Sequence, residues 1–125
     1  MAGNSLGATR FVDSAVALTS GAAPALDASA GSYFTLAILT NIAVTIAIPS
    51  NAPATGQSQT IMIAIRNASG GALTNGAPTF NTGAGGFKFA AVATPANGTQ
   101  VVYTFRWDPV QSFWYEVGSH QASGL

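Results

Sequence analysis

Two acids and an arginine near the C-terminal end of this 125-residue chain come closest to a chemical constellation. Asp108 and Glu116 flank a short Asp-Pro turn. Paired carboxylates across a hairpin are what a glycosidase uses, and their separation decides the mechanism. Arg106, however, alternates in phase with Asp108 and Glu116, and a cross-strand ion pair is the plainer use of all three. The remaining acids, Asp13 and Asp27, stand apart beside turns. His120 is the only histidine and cysteine is absent, so His120 reads as a solvated or interface residue of the tail, not a metal ligand. Neither a nucleophile elbow, nor a phosphate-cradling Gly-rich loop followed by Lys, nor a His-Glu-x-x-His pair occurs. These residues predict a protein that is not an enzyme and holds no cofactor or metal.

Trp114 is the residue with a functional alternative. It lies out of phase with Phe113, Tyr115 and Val117, which places it on the face opposite theirs. If that face is outside, Trp114 is a protein contact or a sugar platform; otherwise a loop of the same subunit covers it.

Charged residues make up only 6% of the chain, against roughly 25% in ordinary soluble domains. Four bases (Arg10, Arg66, Lys88, Arg106) balance four acids. No basic cluster is present, which argues against nucleic acid as a partner. A surface built of Ser, Thr, Asn, Gln, Gly and Ala also has little repulsion to keep copies apart, which favours a homo-oligomer or an assembly. Leu36 to Pro49 is too short to span a membrane and is broken by Thr40-Asn41. The N-terminus carries no basic segment followed by an apolar run, so neither a secretory signal nor a membrane partner is expected. Asn67-Ala68-Ser69 and Asn97-Gly98-Thr99 match the glycosylation pattern but are near chance in so Asn- and Thr-rich a chain.

The elements that would position these residues are strands. Val101, Tyr103, Phe105 and Trp107 share one face of an extended run, and Phe113, Tyr115 and Val117 alternate beyond Pro109–Ser112. The two runs predict a β-hairpin holding six of the twelve aromatic residues, hence most of the large buried area. Phe34, Leu36 and Ile38 predict another strand, which turns at Thr40-Asn41 into a second one with Ile42, Val44, Ile46 and Ile48 on one face. Ile61, Ile63 and Ile65 point one way, and Gln59, Met62 and Ala64 mostly the other, in a further strand. Phe11 to Thr19 alternates with Val12, Val16 and Leu18 inward. Gly- and Asn-rich stretches from Asn67 to Gly86 are turns around short strands at Pro78–Phe80 and Phe87–Phe89. No stretch has a helical period. The expected fold is all-β: a single antiparallel β-sandwich or jelly-roll-like domain over residues 11–118, with an N-terminal arm (1–10) and a C-terminal tail (119–125). The arm is too poor in apolar area to build core, so Leu6 and Arg10 are candidate partner contacts.

Several successions also carry a resemblance. Asp27-Ala28-Ser29-Ala30-Gly31-Ser32-Tyr33-Phe34-Thr35-Leu36 is followed by Ile48-Pro49-Ser50-Asn51-Ala52-Pro53-Ala54-Thr55-Gly56-Gln57. Next come Ile65-Arg66-Asn67-Ala68-Ser69-Gly70-Gly71-Ala72-Leu73, Pro95-Ala96-Asn97-Gly98-Thr99, Phe105-Arg106-Trp107-Asp108 and Trp114-Tyr115-Glu116-Val117-Gly118. Their order, from Asp27 to Gly118, resembles small β-sandwich modules of tailed-bacteriophage virions, which occur as head decoration proteins and as tail-fibre domains. The resemblance implies a structural virion protein with no active residue, made in the host cytoplasm. It would bind the major capsid protein of the assembled shell on its outer surface as a homotrimer or other homo-oligomer. The length and the short arm after Met1 favour decoration. The alternative is a receptor- or glycan-binding module of a tail fibre or other appendage.

Overall fold

The structure is a computed structural model that describes residues 14–90 and 92–122, with the backbone alone described from 119 onward. The arm with Leu6 and Arg10, together with Phe11, Val12 and residues 123–125, lies outside the described residues.

Among the described residues, alternating β-branched and aromatic residues produce eight strands: β1 (Val16–Ala17), β2 (Tyr33–Ile38), β3 (Thr45–Ile46), β4 (Thr60–Asn67), β5 (Thr79–Phe80), β6 (Phe87–Lys88), β7 (Gln100–Asp108) and β8 (Phe113–Ala122). One turn of 3₁₀ helix, Ala28–Ala30, is capped by the Asp27 carboxylate. Hydrogen bonds from Ser29, then from Asn51, hold that carboxyl below its ordinary range. The fold is all-β, as expected.

Its topology corrects the expectation of an antiparallel domain. The main sheet is six-stranded in the order β1-β2-β4-β7-β8-β6. Within it β1, β2 and β4 are parallel, β4, β7 and β8 alternate direction, and β6 lies parallel to β8. The sheet is therefore mixed. The turn at Thr40-Asn41 does not close a hairpin either. Both edges of β2 are occupied, by β1 and β4, so the chain crosses over residues 39–59 before adding a parallel strand. On the way β3 pairs in parallel with β5. Ala28 N donates to Ser50 O, and Ala47 N to Pro24 O, which lays residues 24–28 along the same small ladder. The β7–β8 hairpin is as expected, but β8 continues to Ala122, four residues beyond the boundary drawn from sequence at Gly118.

The inward faces of β2, β4 and β7 match the alternation. Phe34, Leu36 and Ile38, then Ile61, Ile63 and Ile65, and Val101, Tyr103, Phe105 and Trp107 are all buried. Val44, Ile46 and Phe80 of the small ladder join them in one core cluster. Phe80 ties the ladder to the sheet, its ring centroid 4.9 Å from Phe105 and 5.0 Å from both Tyr103 and Phe87. Edge-to-face contacts of this kind add about 0.5–1.5 kcal/mol each beyond the area they bury.

Among the described residues one polar side chain sits inside. Asn67 is fully buried, and its Nδ2 donates to Gly71 O at 2.8 Å and Pro95 O at 3.1 Å. Its Oδ1 accepts from Ser69 N and Ser69 Oγ. Its backbone N donates to Thr99 O and its carbonyl accepts from Gly98 N. Two loops thus close on one side chain, which fits Asn67-Ala68-Ser69 to structure and not to glycan attachment. Replacing Asn67 with Ala leaves the Gly71 and Pro95 carbonyls without this donor, and is expected to cost about 2–4 kcal/mol in urea unfolding. A loss below about 1 kcal/mol would contradict the role assigned to it.

Candidate functional site

The hairpin decides which side chains reach the surface. Four loop residues separate Asp108 from Phe113, so Trp107 pairs with Trp114, Arg106 with Tyr115 and Phe105 with Glu116. Directly opposed residues of an antiparallel pair share a face. Trp107 faces the core, and Trp114 must do so too.

Trp114 is accordingly fully buried, its ring 5.3 Å from that of Trp107. The reading of Trp114 as an outward protein or sugar contact is corrected: parity across the loop turns it inward. The same parity brings Phe113 and Tyr115 to the outer face. Tyr115 and Val117 are among the exposed large hydrophobics. A bulge then shifts the register between Thr104 and Phe105, so that Thr104 faces Gly118 and Val117 is skipped.

Parity also dissolves the carboxylate pair. Glu116 shares the inner-facing phase of Phe105, and its Oε1 accepts from Ala90 N at 3.1 Å. It adds to the burial that pushes the Tyr103 phenol up, while a hydrogen bond from Ala93 N opposes the shift. Asp108 Oδ1 accepts from Val110 N at 2.8 Å and Gln111 N at 3.1 Å, closing the hairpin turn. Arg106 Nη1 donates to Thr60 Oγ1 at 3.0 Å instead of meeting either acid. The expected cross-strand ion pair is therefore replaced by three separate hydrogen-bonding roles. The side chain of His120 lies outside the described residues. Among the described residues no group of three or more His, Cys, Asp or Glu comes together.

What the register does assemble is the outer face of the sheet. One cross-strand row runs Thr60, Arg106, Tyr115, Lys88. A second runs Tyr33, Met62, Thr104, Gly118. Arg66, paired with Gln100, completes a face that carries all three described bases. Lys88 Nζ lies 4.2 Å from the centre of the Phe113 ring, a cation–π contact along the same surface. Ser58, Arg106, Trp107, Asp108, Pro109, Tyr115 and Val117 line an open groove of about 360 Å³ beside the hairpin. Ser58 Oγ donates to Trp107 O among these lining residues. The groove and its outward Tyr115 were missed from sequence, although loop length and strand phase together carried the signal.

The register makes a measurable distinction between neighbours. Trp114→Ala is expected to cost about 3–5 kcal/mol, as core truncations do, and Tyr115→Ala less than about 1 kcal/mol. Urea unfolding of both variants checks this, and the opposite ranking would mean that the strand faces are reversed. Comparison of the chain with protein-family models, with curated proteins and with solved structures finds no match to any of them.

Proposed function

We propose that this chain is a structural virion protein, a β-sandwich that decorates the outside of an assembled phage head and stabilises it. The observation that supports the reading best is the outer face of the six-stranded sheet. Small Thr and Ala side chains alternate there with larger ones, Arg66, Lys88 and Arg106 are spread across it, and Met62, Tyr115 and Val117 are its exposed large apolar side chains. A broad surface of this kind suits docking by shape and scattered hydrogen bonds. It offers no concentrated reaction centre. The partner is the major capsid protein in its assembled form, and decoration acts as ligand binding does, by favouring the state that binds. The low charge of the whole chain supports association of copies, as a homotrimer or another symmetric oligomer. Leu6 and Arg10 remain candidate contacts on sequence grounds.

A second reading, a receptor- or glycan-binding module of a tail appendage, is favoured by the groove. Sugars stack on aromatic rings and bond to polar groups at the rim, and Tyr115 and Arg106 stand together there.

Binding assays with assembled capsids, free capsid subunits and glycan arrays separate the two. Decoration predicts binding to assembled shells with a gain in their resistance to heat, and poor binding to free subunits. Binding to sugars by the isolated chain, lost in Tyr115→Ala, would replace the first reading by the second. Binding to neither shells nor sugars would overturn both.

A further inference from the structure

Two Asn-Gly dipeptides, Asn75-Gly76 and Asn97-Gly98, carry their asparagines at exposed positions in turns. In such a pair the glycine nitrogen can attack the preceding side-chain amide, because no Cβ obstructs it. The reaction consumes only water. Glycine N loses its proton and bonds to asparagine Cγ, the Cγ–Nδ2 bond breaks, and Nδ2 leaves with the protons it needs as ammonia. Water then opens the five-membered succinimide at one carbonyl or the other, giving aspartate or isoaspartate.

In sequence the two sites are equivalent, but the fold makes them unequal. At Asn97 the nucleophile is held: Gly98 N donates to Asn67 O at 2.9 Å. Asn67 N donates to Thr99 O at 3.0 Å, and Thr99 N closes the turn onto Ala96 O at 2.9 Å. Freeing Gly98 N therefore means opening a backbone clamp on the fully buried Asn67. At Asn75 the nucleophile is free, since Gly76 N makes no hydrogen bond among the described residues. The ties there are on the leaving group, Asn75 Nδ2 to Asn41 O at 2.7 Å, and on the preceding residue, where Thr74 N donates to Asn41 Oδ1 at 3.0 Å and Thr74 Oγ1 accepts from Asn41 Nδ2 at 2.7 Å, and all of them are exposed. An exposed hydrogen bond exchanges for water at little net cost, whereas one anchored in the interior does not.

We propose that Asn75 is a self-modification site, converting through a succinimide to aspartate and isoaspartate, and that Asn67 protects Asn97 from the same fate. The product carboxylate cannot donate to Asn41 O, so conversion removes one of the hydrogen bonds between the loop after β2 and the loop before β5 and leaves the Asn41–Thr74 pair to hold them. It also adds a negative charge to a chain of net charge zero.

Incubating the full chain at mildly alkaline pH tests this, with peptide mapping by mass spectrometry and enzymatic labelling of isoaspartate. A parallel sample unfolded in urea supplies the reference. In the folded chain Asn75 is expected to convert about tenfold or more faster than Asn97, while the unfolded chain converts both at similar rates. A smaller ratio, faster conversion at Asn97, or no conversion of folded Asn75 while the unfolded reference reacts at both sites would overturn the proposal.

Discussion

The pairing of Trp107 with Trp114 is the constraint on which the arrangement of both sheet faces depends. A strand shifted by one residue sends every side chain to the opposite face. With four loop residues between Asp108 and Phe113, the two indoles lie side by side in the core, and Arg106 and Tyr115 lie side by side outside. The Trp114 indole N–H makes no hydrogen bond among the described residues, so ring burial and the contact with Trp107 are what favour this register. Asp108 fixes the turn that enforces it, by accepting two backbone N–H groups. Ser112 takes a positive φ of 60° to finish the turn, which a non-glycine residue adopts only where its surroundings hold it.

The rest of the core is built onto that hairpin. Trp114 N donates to Gly86 O, which brings the turn before β6 against β8. A side chain at Gly86 would collide with the Asn81 carbonyl oxygen, so the close approach requires glycine there. Phe87, fixed by that turn, meets Phe105 at 4.7 Å and Phe80 at 5.0 Å. Through Phe80 the small β3–β5 ladder gains its hold on the large sheet. Asn67 does comparable work at the opposite end of β4, with hydrogen bonds in place of rings. The apolar contacts and the polar clamp thus act on different loops and both leave the outer face of the sheet free to carry other groups.

Much of the fold was legible because alternation reports burial directly. Ile61, Ile63 and Ile65 against Met62, or Tyr103, Phe105 and Trp107 against Thr104 and Arg106, needed no more than the period of two. Strand direction was not legible, because alternation is the same in parallel and antiparallel ladders. Thr40-Asn41 has the chemistry of a turn, yet a turn joins neighbours only if the first strand has a free edge, and β2 has none. The face of Trp114 was misread for a related reason. Phe113, Tyr115 and Val117, three large apolar residues, suggest one phase, whereas the number of loop residues sets the other. Asn67 was passed over because a buried, fully satisfied asparagine looks in sequence like any other residue of an Asn-Ala-Ser triplet.

The two tryptophans report on the central claim together, since the chain has no others. Their combined fluorescence should be emitted at the short wavelengths of indoles in an apolar environment and should resist quenching by acrylamide, with both effects lost on unfolding. That result places Trp107 and Trp114 on one inward face, with Arg106 and Tyr115 outside. An emission component at the wavelength of solvated indole in the folded protein, readily quenched by acrylamide and removed by Trp114→Phe, would contradict it.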